Sequence, residues 1–398
     1  MAGNVIAFTN CRLCRQGKLV KGEFLVFSTA TGMILDANRV GDAQVVDMDN
    51  AIVSPGFIEL QTNGLRGFHF THFEETQGYD RNIDEVARYL PQTGVTGFYA
   101  TIPTVRRDEF QKIIPHLKPR SVRGGACLLG AHAEGPYLHP SKKGAHNASL
   151  FEQCLTPPRD VYGDVALSNE TLKMVTIAPE LEGMEQLVVR LVGNGTRVSL
   201  GHSSASYQQG LAACKAGALC LTHTLNAMAP FHQRDPGLAG LITAGTWDLT
   251  TSPYFSIITD GNHLHPSVAT ILAKSSPDKC IVITDSIELA GMPDGTYPGH
   301  SQIPFNQTKK GSKVVIEGTD TLIGGCAGLN ECVKNLMTWS GWNVAMAVNT
   351  VTENIVNFMD DQQRGKLEPG RNADFVVLDD QLKVLQTWIG GRKVWEQG

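Results

Sequence analysis

With 398 residues, 42% of them hydrophobic and 18% charged, the chain has apolar material for a sizeable core and is too long for one small module. The formal net charge of -5 comes without a run of like charges, and no stretch approaches the roughly 20 apolar residues of a membrane span. This excludes a nucleic-acid or membrane footprint and points to a small-molecule ligand. The nine cysteines are scattered and odd in number, which suits reduced thiols rather than a disulfide framework. Cys11 and Cys14 form a lone C-x-x-C that reads as two unremarkable thiols. The start, MAGNVIAFTN, has no basic region followed by a long apolar stretch, so a cytoplasmic location is expected.

In chain order, the first fifty residues give short strands punctuated by turn residues: VIAFTNCRL, GEFLVFS, MILDA and AQVVDM. The pattern then changes. Eight apolar runs follow, at 52–60, 95–101, 126–131, 172–177, 197–200, 218–222, 254–258 and 280–283. Most are succeeded by helical patterns such as IDEVARYLPQTG, RDEFQKIIPHL, MEQLVVRLVGNG, ASYQQGLAACKAG and PSVATILAK. Eight strands with intervening helices predict an α/β fold, a (β/α)8 TIM-type barrel, although strand count alone also fits an open doubly wound sheet. The chain end returns to strands in DFVVLDD, VLQTWIGG and RKVW. The expectation is a small β-sandwich domain built from both termini, 1–50 plus 365–398, beside a catalytic barrel at 51–364.

Reactive side chains in such a barrel gather beyond the C-terminal strand ends. Six of the eight runs end that way: Glu59 to Asn63 after the first, His132 and Glu134 after the third, His202 after the fifth, His223 and Asn226 after the sixth, Asp260 to His263 after the seventh, and Asp285 after the eighth. A lone histidine is more often structural than a ligand. Glu134, His202 and His223 together, each directly following an apolar strand, form a set that catalytic zinc accepts while leaving a position for water; Fe2+, Co2+ and Mn2+ fit as well. Asp285 ends IVITD, where a charge pointing into the core would be expensive, so it reads as a general base and acid; a helix N-cap is the alternative. His132, two residues before Glu134, either supports that residue or packs. The lysines of GPYLHPSKKGAHN read as a solvated face, and His146 at its end as a group able to polarise a carbonyl oxygen. Arg234, in NAMAPFHQRDPGLAG, can bind a phosphate with help from backbone N–H groups near Asn226 and Ala227. No nucleotide-binding loop is present.

The segments PGFIELQTNG, AHAEGPYLHPSKKGAH, SLGHS, THTLNAMAPFHQRDPGLAG, TDGNHLHP, VITDSI and GKLEPGRNADFVVLD, in that order, resemble the N-acetylglucosamine-6-phosphate deacetylase family of the amidohydrolase superfamily. The resemblance implies hydrolysis of the acetamide of N-acetylglucosamine 6-phosphate in amino-sugar catabolism. It also implies one divalent metal on Glu134, His202 and His223, acid–base work by Asp285, and a homodimer. By position it implies substrate contacts at Ala145, His146, Asn226, Ala227, Arg234, His263, Leu322, Ile323 and Gly324, with Arg234 and His263 able to serve the neighbouring subunit's site. Two departures stand out. Gln61-Thr62-Asn63 occupies the place where many amidohydrolases have H-x-H, which points to one metal rather than two. Gly325-Cys326 stands where relatives commonly have a serine. Rival readings are a related amidohydrolase acting on another N-acyl sugar phosphate or a cyclic amide, and a catalytically silent barrel scaffold, against which the intact set of Glu134, His202, His223 and Asp285 argues.

Overall fold

The computed structural model describes residues 4–300 and 302–398; residues 1–3, counted in the expected β domain, lie outside it. Eight parallel strands follow one another around the molecule: β1 (Phe57–Thr62), β2 (Val95–Pro103), β3 (Cys127–Glu134), β4 (Leu172–Ile177), β5 (Arg197–Leu200), β6 (Cys220–Leu221), β7 (Tyr254–Ile258) and β8 (Cys280–Ile283). Each pairs only with its neighbours in sequence, the order of a barrel and not of a doubly wound sheet.

The seam between β1 and β8 is closed by single contacts at the strand ends. Thr62 bridges Ser286 in parallel, the Asp285 N–H donates to Gln61 O at 3.0 Å, and the Asn63 N–H donates to Ser286 O at 2.7 Å. The buried Glu59 carboxylate accepts from Thr284 Oγ1 at 2.8 Å and from the Gln61 N–H at 3.1 Å. Burial of this carboxylate pushes its pKa up to about 8, even though those hydrogen bonds favour the charge.

Side-chain alternation explains the two cores. Ile58, Leu60, Leu129, Met174, Ile281 and Ile283 fill the barrel interior, and Ile355, Val356 and Phe358 from the helix Glu353–Met359 pack against them. Phe358 meets Tyr254 at the start of β7, so this helix covers the end opposite the strand C-termini. Outside, helices bury one stripe each: Thr76–Tyr89 turns Tyr79, Ile83, Val86 and Ala87 inward, at helical spacing. The predicted helices appear as Thr76–Tyr89, Arg107–Ile113, Met184–Gly193, Tyr207–Ala216 and Pro266–Ser275.

Both chain ends build a β-sandwich. One sheet holds Val5–Thr9, Leu25–Ser28, Ile34–Leu35 and Gln44–Asp47; the other joins Arg12–Arg15, Lys18–Lys21 and Ile52–Pro55 to Phe375–Leu378, Val384–Ile389 and Arg392–Glu396. Between them Phe8, Phe27, Phe375 and Trp388 pack ring on ring with centroids 5.0–5.6 Å apart.

Two features differ from the sequence expectation. The apolar run at 52–60 is two strands, since Ile52–Pro55 pairs with Phe375–Leu378 in the sandwich and only Phe57–Thr62 enters the barrel. The break falls at Gly56, where a Cβ would sit 2.2 Å from Thr96 Oγ1, so the chain changes sheets where no larger residue fits. An uninterrupted hydrophobic run cannot reveal such a handover. The second is a three-stranded antiparallel sheet, Gly295–Tyr297, Gln307–Lys310 and Lys313–Ile316, inserted between β8 and the helix Leu329–Ser340.

Phe27→Ala should remove about 3–5 kcal/mol of unfolding free energy, because the buried ring leaves a cavity among three aromatic partners. Urea denaturation followed by tryptophan fluorescence measures it.

Candidate active site

At the mouth, the backbone turns sharply as it leaves the strands. His202, His223, Ala227 and Asp285 all have positive φ, at 49°, 29°, 49° and 47°. For residues with a Cβ this costs about 1–3 kcal/mol each, and such outliers concentrate where side chains must be aimed at one point.

That point is Glu134 Oε1. His202 Nε2 lies 3.1 Å from it, His223 Nε2 2.9 Å, and the two nitrogens are 3.1 Å from each other. Donors about 2.0–2.1 Å from a tetrahedral ion stand about 3.3 Å apart, close to this triangle. Protonation explains why the triangle is unhappy without a cation. His202 Nδ1 lies 2.9 Å from the carbonyl of Lys142, an acceptor only, so Nδ1 carries the hydrogen and a neutral ring turns its Nε2 lone pair toward the carboxylate. All three side chains are buried. Burial would raise the Glu134 pKa, but the close imidazoles of His146, His202 and His223 hold it well below the ordinary carboxylate range. Burial presses the His202 pKa down to about 4, while the Glu134 contact overrides burial at His223 and pushes it up to about 9. Donor set and spacing fit a divalent metal.

His146 stands beside this trio, Nε2 3.6 Å from Glu134 Oε2, and with Glu134 and His202 brings ligand atoms within 4.8 Å of one another. Its tautomer separates it from the trio. The Thr104 N–H donates to His146 Nδ1 at 3.2 Å, so a neutral ring carries its proton on Nε2 and presents a donor, not a lone pair. Asp285 Oδ1 accepts from Asn63 Nδ2 at 2.8 Å and from Gln61 Nε2 at 3.1 Å; the same Gln61 nitrogen donates to Glu134 Oε1 at 3.1 Å. Burial and the Glu134 charge raise the Asp285 pKa.

These groups share one cavity of about 460 Å3. Its lining includes Glu134, Ala145, His146, His202, His223, Asn226, Ala227, His263, Asp285, Leu322, Ile323 and Gly324. Arg234 is exposed and does not line it, whereas His263 does, its Nδ1 2.8 Å from Asp260. His132 bonds Thr101 and Thr176 and lies outside the lining, so of its two readings packing fits. A larger cavity of about 810 Å3, lined by Glu59, Tyr89 and Lys334, contains none of the Glu134 cluster. Two groups escaped the sequence reading, Thr104 and the carbonyl of Lys142, and Gln61 and Asn63 were placed at a reactive strand end without a partner. The signal for the last pair was available, since Gln61 and Asn63 alternate on a strand end facing Asp285.

No family model matches the chain. It is 35% identical to the N-acetylglucosamine-6-phosphate deacetylase of Caenorhabditis elegans over 99% of this chain and 96% of the relative, and 33% identical to that of Rattus norvegicus over 98% and 96%. Among solved structures, a point mutant of N-acetyl-D-glucosamine-6-phosphate deacetylase from Mycobacterium smegmatis in complex with N-acetyl-D-glucosamine-6-phosphate superposes with a TM-score of 0.83 at 25% identity, covering 98% of this chain and 100% of that one.

His202→Ala should strip the trio of one donor. Elemental analysis after dialysis against a divalent metal should find about one equivalent in the wild type and a small fraction of that in the variant; equal contents would rule the trio out as the metal site.

Proposed function

The chain belongs to the N-acetylglucosamine-6-phosphate deacetylase family of the amidohydrolase superfamily, and we propose that it hydrolyses the acetamide of N-acetyl-D-glucosamine 6-phosphate to D-glucosamine 6-phosphate and acetate, in amino-sugar catabolism. The observation that carries this reading is the triangle of Glu134, His202 and His223 facing Asp285 within one cavity. In this reading Glu134, His202 and His223 hold one divalent metal, Zn2+ by ligand type, although Fe2+, Co2+ and Mn2+ accept the same donors. When bound, the metal supplies Lewis acidity that polarises the amide carbonyl and acidifies water.

Asp285 takes the proton of the attacking water and returns it to the leaving nitrogen. Its raised pKa suits a group that must hold a proton between those two events. Asn63 and Gln61 donate to one oxygen of Asp285 and so hold its orientation. His146 aims Nε2–H at the carbonyl oxygen, which gains negative charge as water adds, and Thr104 keeps the ring in that tautomer. A single metal is favoured because the Gln61 amide already bridges Glu134 and Asp285, filling with a neutral donor the gap that a second cation would need.

The same reading assigns substrate contacts to Ala145, Asn226, Ala227, His263, Leu322, Ile323 and Gly324, which line the cavity. Arg234 is exposed and lies outside the lining of this cavity, so in this reading it serves a phosphate across an interface. We therefore infer a homodimer in which Arg234 of the partner subunit supplies charge to the site. The domain division belongs to this proposal too, with 51–364 as the catalytic barrel and 1–50 plus 365–398 as the β domain. Among the described residues no helix is long and apolar enough to cross a membrane, and the free cysteines favour a cytoplasmic location.

Acetate release from N-acetylglucosamine 6-phosphate, with and without chelator, tests the activity; no release by the metal-loaded protein overturns it. Asp285→Asn should keep its metal yet lose about 10²–10⁴-fold in kcat, measured on protein of verified metal content. Arg234→Ala should raise KM for the phosphorylated sugar about tenfold or more while leaving turnover of N-acetylglucosamine itself little changed.

A further inference from the structure

One wall of the cavity is a hairpin to which the mechanism above gives no part. Gly64–Leu65 and Phe68–His69 pair antiparallel, with His69 opposite Gly64, and the Phe70 N–H donates to Asn63 O at 2.8 Å. A Cβ on Gly64 would lie 2.2 Å from Phe68 O, so the two arms can approach this closely only with glycine there. His69 therefore stands on a tight frame that begins at Asn63, whose amide holds Asp285.

The hydrogen bonds of the His69 ring fix its tautomer. The Thr71 N–H donates to Nδ1 at 3.2 Å, and Thr71 Oγ1 lies 2.7 Å from the same nitrogen. A neutral ring then carries its proton on Nε2. Burial, reinforced by the neighbouring His72 and His300, keeps the ring neutral by pressing its pKa down to about 3, against the pull of Glu288. Nε2 makes no hydrogen bond to any described residue, and it is absent from the fully sealed, unpartnered nitrogens, which include His72 Nε2. His69 nevertheless lines the cavity beside Asn63, Ile287 and Ile303. The hairpin thus holds an unused neutral donor against the substrate space.

We propose that His69 Nε2–H donates a hydrogen bond to a sugar hydroxyl on a ring carbon next to the amide-bearing carbon, making His69 a specificity-determining residue. The assignment rests on the deacetylase reading. A phosphate calls for positive charge, which this ring does not carry. The acetamide oxygen is assigned to His146 beside the trio that would hold the metal. Asp285 serves the amide nitrogen, and His69 follows on the same frame as Asn63, which leaves the hydroxyls flanking that nitrogen within its range.

The test compares wild type, His69→Ala and His69→Gln on N-acetylglucosamine 6-phosphate and on its 1-deoxy and 3-deoxy analogues. Wild type should discriminate against one analogue by about five- to tenfold in kcat/KM, the effect of one neutral hydrogen bond. His69→Ala should raise KM for the parent by a similar factor with little change in kcat, and should lose that discrimination; His69→Gln, which keeps an N–H donor, should recover part of it. A His69→Ala enzyme that still discriminates like wild type, or that is impaired equally on all three substrates, overturns the assignment. If His69→Ala does not fold, His69→Phe, which fills the same space without a donor, takes its place: lost discrimination supports the assignment, and wild-type discrimination overturns it. A wild type that releases no acetate from the parent sugar overturns the deacetylase reading itself, a result distinct from an active wild type with a silent His69.

Discussion

A single carboxylate oxygen organises this molecule. Glu134 Oε1 receives His202 Nε2, His223 Nε2 and Gln61 Nε2, all within 3.1 Å, in a buried pocket. Four strands and a barrel seam must be in register for those groups to meet, because Glu134 ends β3 and its partners come from β1, from the loop after β5 and from the loop after β6. Burial makes the arrangement demanding as well as selective. Inside a low-dielectric pocket a carboxylate that lacks positive partners would protonate, and the neutral His202 ring, whose Nδ1–H goes to the Lys142 carbonyl, cannot also donate to it.

The surrounding fold can be understood as support for that meeting. His202 receives its tautomer from the Lys142 carbonyl, and His146 from the Thr104 N–H, so two chemically identical rings present opposite faces, one a lone pair and one a donor. Asp285 is oriented by two amides from β1 and from the residue that follows it, across the seam where β1 and β8 share no regular ladder. The seam is held instead by individual hydrogen bonds at Glu59, Gln61, Thr62 and Asn63. A barrel that closes through side chains at this position brings its own closure contacts into the site.

Much of this was legible in the residues. Glu134, His202, His223 and Asp285 announce themselves because each is polar, ends an apolar run and stands where a barrel opens. The alternation of strands and helices announces the barrel. The split of the 52–60 run did not show, since both halves are equally apolar and only a steric clash at Gly56 separates them. The inserted sheet of Gly295–Tyr297, Gln307–Lys310 and Lys313–Ile316 was missed too, its strands being only three or four residues long, too short to show a period.

The sequence by itself determined the inventory: which side chains could bind a cation, which could move a proton, and that both ends of the chain were strand-forming. It could do so because those properties are local, carried by residue type and by periodicities of two and 3.6 residues. Only the tertiary structure decided how the inventory is used. Which imidazole nitrogen bears the hydrogen depends on a carbonyl or an N–H from a distant loop, 60 residues away for His202 and 42 for His146. Gln61 and Asn63, which in the sequence are polar residues at a strand end with no assigned partner, became the donors that hold Asp285 because barrel closure carries them across 224 and 222 residues to meet it. Arg234, a promising phosphate ligand by type, proved to lie outside the cavity of its own chain. Hydrogen-bond direction and proximity belong to the assembled fold, and no local pattern encodes them.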